Sequence, residues 1–246
     1  MKQKKIKIFV IIYLSFITSI FGIELSDGKI QARLNILNGN SSECLMHEFY
    51  TNSGWINIEG EVGRNGIDGL YYKVQNGTIK EVLVSESKWN KSRLGRSGKN
   101  KLIKQMSKRW IIRVLNRLQK YRPLPEYSTI QKFIENNQYR ARLFKVFPKD
   151  KDKIQIVIYR LKNKGDNEFD KIKVNKLKPI SIETQKNTFE IAMIKAYKKC
   201  KKEAINKYFG SVYIKGRQII FLLETTPNSS SGVIDLRVSS RRIQPK

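Results

Sequence analysis

Histidine is almost absent from this chain. Its 246 residues include one histidine, His47, and two cysteines, Cys44 and Cys200. Zinc sites need several imidazole or thiolate ligands at short spacings, and a thiol nucleophile needs a base placed close to it. The composition therefore excludes enzymes that build their site from several histidines or from a cysteine and histidine pair. Carboxylate chemistry remains.

Acidic residues are also few. The chain has 21 aspartates and glutamates against 49 lysines and arginines, which gives a formal net charge of +28. This surplus is far larger than solubility requires, and it favours a polyanionic partner such as nucleic acid. A lysine-rich background composition is the alternative explanation for the same charge.

Only one long apolar run occurs, at residues 8–21, and it follows Lys2, Lys4, Lys5 and Lys7. A basic start, a short apolar run and small residues at its end are typical of an export signal. The run is short for a membrane span, which needs about 20 residues. We therefore expect a signal peptide over residues 1–22, a periplasmic or secreted protein, and no stable membrane insertion after cleavage. An uncleaved anchor is the alternative.

Export would place both cysteines where a disulfide can persist. A bridge between Cys44 and Cys200 would close a long loop and contribute about 4 to 5 kcal/mol by the chain-entropy estimate. Two unrelated free thiols are an equal alternative.

Hydrophobic periodicity predicts an α/β protein with a mixed central sheet flanked by helices. A short helix over residues 44–50 is expected after the cap at Ser41-Ser42, and a hairpin turn is expected at Asn76-Gly77. The other expected elements are strands at 55–61, 66–74, 78–88, 141–147 and 154–161, a strand pair at 212–223, and helices at 99–118, 130–136 and 188–209.

The best candidate domain boundary is Pro123-Leu124-Pro125, which interrupts the helical pattern. We expect a core over residues 23–122. Residues 126–246 form either a basic α/β extension of that core or a second module.

Two carboxylates and a lysine lie on the predicted hairpin. Asp68 sits between glycines in residues 66–69, and Glu86 and Lys88 follow the apolar run Val82-Leu83-Val84. Charged groups at the edge of a core are costly unless they are paired or metal-bound. Carboxylate oxygens suit Mg²⁺ or Mn²⁺, and a neighbouring lysine can stabilise developing negative charge. A turn aspartate and an ordinary Glu-x-Lys salt bridge are the plainer alternatives.

This site makes a geometric demand on the hairpin. Glu86 and Lys88 share a face because strand side chains alternate. A plain two-residue turn at Asn76-Gly77 would set Asp68 opposite Ser85 and leave Glu86 on the other face. We therefore predict either a three-residue connection or a β-bulge in this hairpin.

A longer ordered set of residues resembles a known family. The set is Asn65-Gly66-Ile67-Asp68-Gly69-Leu70, Glu86-Ser87-Lys88, Leu94-Gly95, Lys104-Gln105-Met106-Ser107 and Trp110-Ile111. It is similar to the restriction-endonuclease-like (PD-(D/E)xK) nuclease domains of bacterial toxins and effectors, over roughly residues 43–118. Ile67 stands where the family nominally has proline, which is a common variation.

The resemblance implies roles for individual residues. Asp68 and Glu86 would hold the metal, Lys88 would act at the attacking water, and an acid on the preceding helix would complete the site. Glu48 is the preferred acid, with Glu43 as the second candidate. Gln105, expected on the helix after the third strand, would contact substrate phosphate or the lysine, or would be an ordinary helix glutamine.

The expected function is that of an exported nuclease dependent on Mg²⁺ or Mn²⁺, with DNA favoured over RNA as substrate. A noncatalytic cationic binder of DNA or acidic polysaccharide, and an RNA-cleaving toxin, are the alternatives. The resemblance to toxins also allows for a protecting (immunity) protein as partner. The expected nucleic-acid-binding residues are Arg64, Lys91, Arg93, Arg96 and Lys99.

Overall fold

A computed structural model describes the backbone of residues 27–61, 66–149 and 153–209 and four short strands beyond them, and the side chains of residues 35–61, 66–149 and 153–204. The expected export signal and Arg64 lie outside the described residues. The chain divides into two compact units, Asn38–Lys201 and a second made of Met1–Leu37 with Lys202–Lys246. No helix in the described part of the chain is long and apolar enough to cross a membrane.

The first unit is built on a mixed β-sheet with the strand order β1-β2-β3-β6-β7-β8, and β9 pairs beside β7. Strands β3 and β6 run parallel, and every other pair in this sheet is antiparallel. Its strands are β1 (Ile56–Ile58), β2 (Gly69–Gln75), β3 (Thr78–Trp89), β6 (Arg140–Lys149), β7 (Lys153–Lys164), β8 (Glu168–Lys176) and β9 (Ile180–Ser181).

Smaller strands lie outside this sheet in three two-stranded pairs. The first pair joins β4 and β5 of the first unit, and the other two pairs lie beyond residue 209. They are β4 (Arg96–Ser97) with β5 (Ile103–Lys104), β10 (Tyr213–Ile214) with β11 (Arg217–Gln218), and β12 (Phe221–Leu223) with β13 (Leu236–Val238).

Helices cover both faces of the sheet, so the predicted α/β class with a mixed sheet flanked by helices is confirmed. On one face, Val82 and Val84 of β3 pack with the apolar sides of two helices, and on the other face Leu83 packs with the remaining two. The first pair is α2 (Lys108–Tyr121) and α3 (Pro125–Glu135), and the second is α1 (Asp27–Thr51) and α4 (Thr188–Phe209).

The chain after Pro125 continues the same sheet. Pro125 begins helix α3, where its fixed φ suits the first helical position. The helix leads into β6, which pairs along the inner edge of β3. The strands of residues 140–181 therefore extend the sheet that begins at Ile56, within one compact unit.

Three predicted elements are wrong in extent. Helix α1 runs through the predicted cap at Ser41-Ser42, and the strand expected at 55–61 is limited to β1. The helix expected at 99–118 begins only at Lys108, because positive φ angles at Asn100, Lys101 and Met106 break the helical path before it. Strand β8 was not predicted, since as an edge strand it buries only Phe169 and carries little apolar signal.

Cys44 on α1 and Cys200 on α4 form a disulfide, with their Cα atoms 5.6 Å apart. Of the two alternatives for the cysteines, the disulfide is confirmed. Both residues pack in the core between these helices and the sheet. The bridge closes a loop of 156 residues in sequence, so most of the first unit lies inside it.

Removing this bridge should destabilise the fold strongly. The Cys44→Ser/Cys200→Ser variant should lose about 2–5 kcal/mol of unfolding free energy, because its unfolded chain is no longer constrained. Urea denaturation of the two proteins measures the difference. Addition of reductant should move the wild-type curve onto that of the variant. A wild-type midpoint that is unchanged by full reduction would contradict this account.

Candidate functional site

The β2–β3 hairpin contains the β-bulge that the site requires. Gln75 pairs with Thr78 across a two-residue turn, in which Asn76 and Gly77 have φ angles of 50° and 71°. The register then shifts by one residue, since Val74 pairs with Ile79 but Lys73 pairs with Glu81. Lys80 is the extra residue of this bulge.

The bulge brings Asp68 and Glu86 to the same face of the sheet. Gly69 pairs with Ser85, so Asp68 precedes β2 directly opposite Glu86. The carboxylate Oδ2 of Asp68 also accepts a hydrogen bond from the backbone nitrogen of Ser87, at 2.9 Å. Without the inserted residue, strand alternation would leave Asp68 and Glu86 on opposite faces.

Lys88 and Gln105 both bind the same oxygen of Glu86. Lys88 Nζ donates to Glu86 Oε1 at 2.6 Å, and Gln105 Nε2 donates to that atom as well. Gln105 Oε1 accepts from the backbone nitrogen of Gly95 at 3.0 Å, which orients the amide. Gln105 lies in the turn between β5 and α2, so its predicted position on a helix is wrong. Its hydrogen bond within the site is to Glu86, where the sequence suggested the lysine or substrate phosphate as its partner.

Glu86 is the most deeply buried charged group of the site. Its side chain is 1% exposed, and its second oxygen, Oε2, accepts no hydrogen bond from an N–H or hydroxyl group among the described residues. Burial, the neighbouring charge of Asp68 and a hydrogen bond shared with the Asp68 carboxyl group raise the pKa of Glu86 well above its ordinary value, although Lys88 acts in the other direction. An orphaned buried carboxylate oxygen of this kind is costly unless a cation or proton reaches it.

The pKa values of Asp68 and Lys88 are also shifted by their surroundings. Burial raises the pKa of Asp68, and the charge of Lys88 only partly offsets that effect. Burial lowers the pKa of Lys88, but the charges of Glu86 and Asp68 outweigh it and leave the pKa above its ordinary value. Lys88 therefore stays charged at neutral pH as a point cation beside the two carboxyl groups.

Of the two candidate acids on α1, Glu43 is the one that acts on this cluster. The charge of Glu43 raises the pKa of both Asp68 and Lys88. Glu48, which the sequence favoured as a metal ligand, is instead turned toward α4, where its carboxylate accepts a hydrogen bond from Lys199 Nζ at 2.8 Å. The structure does not bring Glu48 to the other site residues.

The cluster opens into a cleft of about 580 Å³. Arg96, Arg113 and Arg117 line this cleft together with the site residues, and they add positive charge to its walls. Sequence reasoning missed Arg113 and Arg117, although their spacing of four residues on α2 sets both on one side of the helix. The complete lining is Glu61, Gly66, Asp68, Glu86, Lys88, Gly95, Arg96, Ser97, Gln105, Trp110, Arg113, Val114 and Arg117.

The predicted binding residues are dispersed. Lys91, Arg93 and Lys99 are exposed on the segment that follows β3, and of the described candidates only Arg96 lines the cleft. Arg96 Nη2 forms an ion pair with Glu168 of β8. Arg64 lies outside the described residues.

Lys145 is a second cation beside the site that the sequence did not reveal. It is paired with Lys88 across the parallel strands β6 and β3, and it is 8% exposed. Its Nζ donates to the carbonyl oxygen of Ser92 at 3.1 Å. Burial and the charges of Lys171, Arg93 and Lys88 lower the pKa of Lys145. The concentration of positive charge here favours an anion near Lys88.

Asp68 and Glu86 provide part of the ligand set of a hard divalent cation. Asp68 and Glu86 supply two carboxyl groups, and Glu86 Oε2 is an oxygen without a partner among the described residues. Mg²⁺ and Mn²⁺ take such oxygens and fill their other positions with water or substrate oxygens. No group of three or more His, Cys, Asp or Glu side chains with the geometry of a metal site occurs in the described part of the chain. Within the described residues, Asp68 and Glu86 are therefore the two carboxylate ligands that we assign.

Replacing Glu86 by glutamine should stabilise the metal-free fold. Because the pKa of Glu86 is raised in the folded state, the folded state binds more protons than the unfolded state at pH values between the ordinary glutamate pKa and the raised one. The free energy of unfolding therefore falls as the pH rises through that interval. Glu86→Gln removes that loss, while Asp68 still faces Lys88. The variant should be more stable than wild type at neutral pH by on the order of 1 kcal/mol, since one pKa unit is worth about 1.4 kcal/mol.

Urea denaturation in chelator at several pH values measures this difference, which should shrink as the pH approaches the ordinary glutamate pKa. Glu81→Gln is the matched control, because Glu81 lies on the same strand in a partly exposed ion pair with Arg140 and should contribute little. A Glu86→Gln variant that is less stable than wild type at neutral pH would show that the ion pair outweighs the burial cost.

Comparison with protein-family models, with curated proteins and with solved structures gives no match to this chain. The defining feature of the site is the buried carboxyl group of Glu86 beside the half-buried one of Asp68. A lysine and a glutamine bind Glu86, and arginines line the same cleft.

Proposed function

We propose that this protein is a nuclease that hydrolyses phosphodiester bonds with Mg²⁺ or Mn²⁺, with DNA favoured over RNA. The observation that carries the proposal is the convergence of Asp68, Glu86, Lys88 and Gln105 at one end of an arginine-lined cleft. A structural salt bridge between Glu86 and Lys88 would not need the buried, orphaned oxygen or the second carboxyl group beside it.

Each side chain has a distinct part in the proposed reaction. Asp68 and Glu86 would hold the divalent ion, which supplies Lewis-acid polarisation of the phosphodiester and a more acidic water when it is bound. Lys88 stays charged and can orient the attacking water or stabilise negative charge on the phosphate in the transition state. Gln105 and Lys88 both hold Oε1 of Glu86, so Oε2 would be the oxygen available to a bound ion.

The cleft walls would hold the substrate. Arg113 and Arg117 are exposed on α2, and Arg96 lies on β4 in the same lining. Guanidinium groups bind phosphate oxygens through paired hydrogen bonds, so they can position a backbone without reading its sequence. Lys145 would add a buried positive charge beside Lys88.

The finer assignment of the fold is part of the same proposal. The unit β1-β2-β3 with β6 parallel to β3, covered by helices on both faces, supports a restriction-endonuclease-like core. In that arrangement the site residues come from the start of β2, the end of β3 and the turn before α2.

Export to the periplasm or the medium is also proposed. The Cys44–Cys200 disulfide supports it, because such bridges persist in oxidising compartments and are rare in the cytosol. A toxin delivered to a rival cell, with a protecting (immunity) protein in its producer, is compatible with the same chemistry. The second candidate function is a noncatalytic polyanion binder, which the net charge of +28 favours.

The principal experiment is a cleavage assay on duplex DNA, single-stranded DNA and RNA with Mg²⁺ or Mn²⁺. The variants Asp68→Ala, Glu86→Ala and Lys88→Ala should each lower the rate by about 100-fold or more, a typical loss for a positioned catalytic group. Glu48→Gln is the matched control, since Glu48 pairs with Lys199, and it should cleave at the wild-type rate.

Cleavage of every substrate that persists in chelator would exclude the metal mechanism. Tight binding with no cleavage by the wild type under any of these conditions would favour the noncatalytic binder. Cleavage of RNA alone would identify the third alternative, an RNA-cleaving toxin.

The affinity for Mg²⁺ should fall as the pH is lowered. The raised pKa values of Asp68 and Glu86 mean that protons compete for the same oxygens, so binding of the ion releases protons, and more of them at lower pH. Titration calorimetry in two buffers of different ionisation enthalpy measures this release. Glu48→Gln should behave like wild type, and Glu86→Gln should release fewer protons, because only Asp68 then contributes. Mg²⁺ binding that releases no protons at any pH would contradict the assignment of these ligands.

A further inference from the structure

A second cavity, of about 560 Å³, lies at the start of β6 and the end of β7. We call it the Arg142 pocket. Its lining contains five cationic side chains and one acid, Asp166, and it includes none of the residues that line the cleft at Glu86. The complete lining is Lys108, Asn137, Tyr139, Arg140, Ala141, Arg142, Arg160, Leu161, Lys162, Asn163, Gly165 and Asp166.

Two arginines face each other directly in this pocket. Arg142 of β6 is in register with Arg160 of the antiparallel strand β7. Like charges placed directly opposite in an antiparallel pair are destabilising. Burial and the charges of Arg140 and Arg160 lower the pKa of Arg142, although Tyr50 acts in the other direction. The sheet therefore carries a repulsive pair at this position.

The outer cations of the pocket have acidic neighbours, and the inner pair does not. Arg140 forms an ion pair with Glu81, and Lys162 is in register with Asp170 of β8. The remaining neighbours of Arg142 and Arg160 in register are uncharged: Ser85 on β3 beside Arg142, and Ile172 on β8 beside Arg160. No carboxylate lies within ion-pair distance of either inner guanidinium among the described residues.

The hydrogen bonds of the inner pair leave most donors available. Arg142 Nη1 donates to the carbonyl oxygen of Ala141 at 3.0 Å, and a guanidinium group has five donors in all. Unfavourable local arrangements that nothing else in the fold offsets, such as these facing like charges, are expected at functional sites. An anion with several oxygens, bound between the two guanidinium groups, would remove the repulsion and satisfy these donors.

We infer that the Arg142 pocket binds a backbone phosphate of nucleic acid at a place separate from the cleavage site. Strand alternation sets Arg142 on the face of the sheet opposite to Glu86, since Arg142 is in register with Ser85. The phosphate held here is therefore not the one that is cleaved. The inference takes its ligand from the proposed nuclease function, but binding at this pocket needs neither the metal nor the cleavage residues.

The test is the salt dependence of binding, measured in chelator so that cleavage cannot occur. Fluorescence anisotropy of a labelled DNA duplex gives the affinity of the full chain over a series of salt concentrations. The Arg142→Gln/Arg160→Gln variant should bind about tenfold more weakly or worse. Its plot of log affinity against log salt should be shallower by about 0.9, because the one phosphate contact that the two arginines share is lost.

The matched control is Lys173→Gln/Lys178→Gln. It removes the same formal charge from two exposed positions that line neither cavity, and it should keep the wild-type slope. Identical slopes for the arginine variant and this control would overturn the inference. The melting temperature of the arginine variant should be at least that of wild type, since the repulsive pair is gone.

A single substitution tests the same inference if the double variant does not fold. Arg160 is exposed, so Arg160→Gln leaves no buried gap. It should flatten the slope measurably, by up to about 0.9, because the phosphate loses one of its two guanidinium partners. An unchanged slope for Arg160→Gln would overturn the inference even if the double variant does not fold.

Failure of the pocket and failure of the nuclease proposal give different results. A flattened slope with no cleavage by wild type would support the pocket and reject the nuclease. Cleavage that depends on Glu86, together with an unchanged slope for the arginine variant, would reject the pocket and keep the nuclease.

Discussion

The inserted residue at Lys80 is the constraint on which the candidate site depends. A regular two-residue hairpin fixes which side chains share a face, and one extra residue reverses that relation for everything beyond it. Here the reversal sets Asp68 opposite Glu86, next to the parallel pairing of β3 with β6 that holds Lys145 beside Lys88. Loss of the bulge would place the two carboxyl groups on opposite faces of the sheet.

The candidate site and the separate Arg142 pocket each contain a destabilising arrangement within an otherwise well-packed unit. Glu86 is buried with an oxygen that lacks a hydrogen-bond partner among the described residues, and Arg142 faces Arg160 across two strands. Such costs persist only where the surrounding structure holds the groups in place. Here the compensation comes from apolar cores on both faces of the sheet and from the disulfide between α1 and α4. The unfavourable groups and the groups that stabilise the fold thus lie in different parts of it.

Much of the fold followed from local patterns, and the errors have physical causes. The helix at 188–209 and the strands around Val84, Phe144 and Ile156 were predictable, because strong apolar periodicity reflects burial directly. The predicted helix start at residue 99 was wrong, since left-handed backbone at Asn100 and Met106 is not visible in hydrophobicity. The sequence favoured Glu48 as a metal ligand because of its position along the chain. The direction of a helical side chain is set by packing, however, and Glu48 points toward Lys199.

The amino-acid sequence by itself determined the chemistry that is available: one histidine, an excess of lysine and arginine, and the ordered residues Asp68, Glu86, Lys88 and Gln105. It also showed that these residues could meet only through a bulge or a longer turn, because alternation along a strand is a local property. Only the tertiary structure decided which of these occurred, that Glu86 Oε2 is left without a partner, and that Arg113 and Arg117 line the cleft. Those outcomes depend on pairing and packing between segments distant in sequence, which no local pattern records.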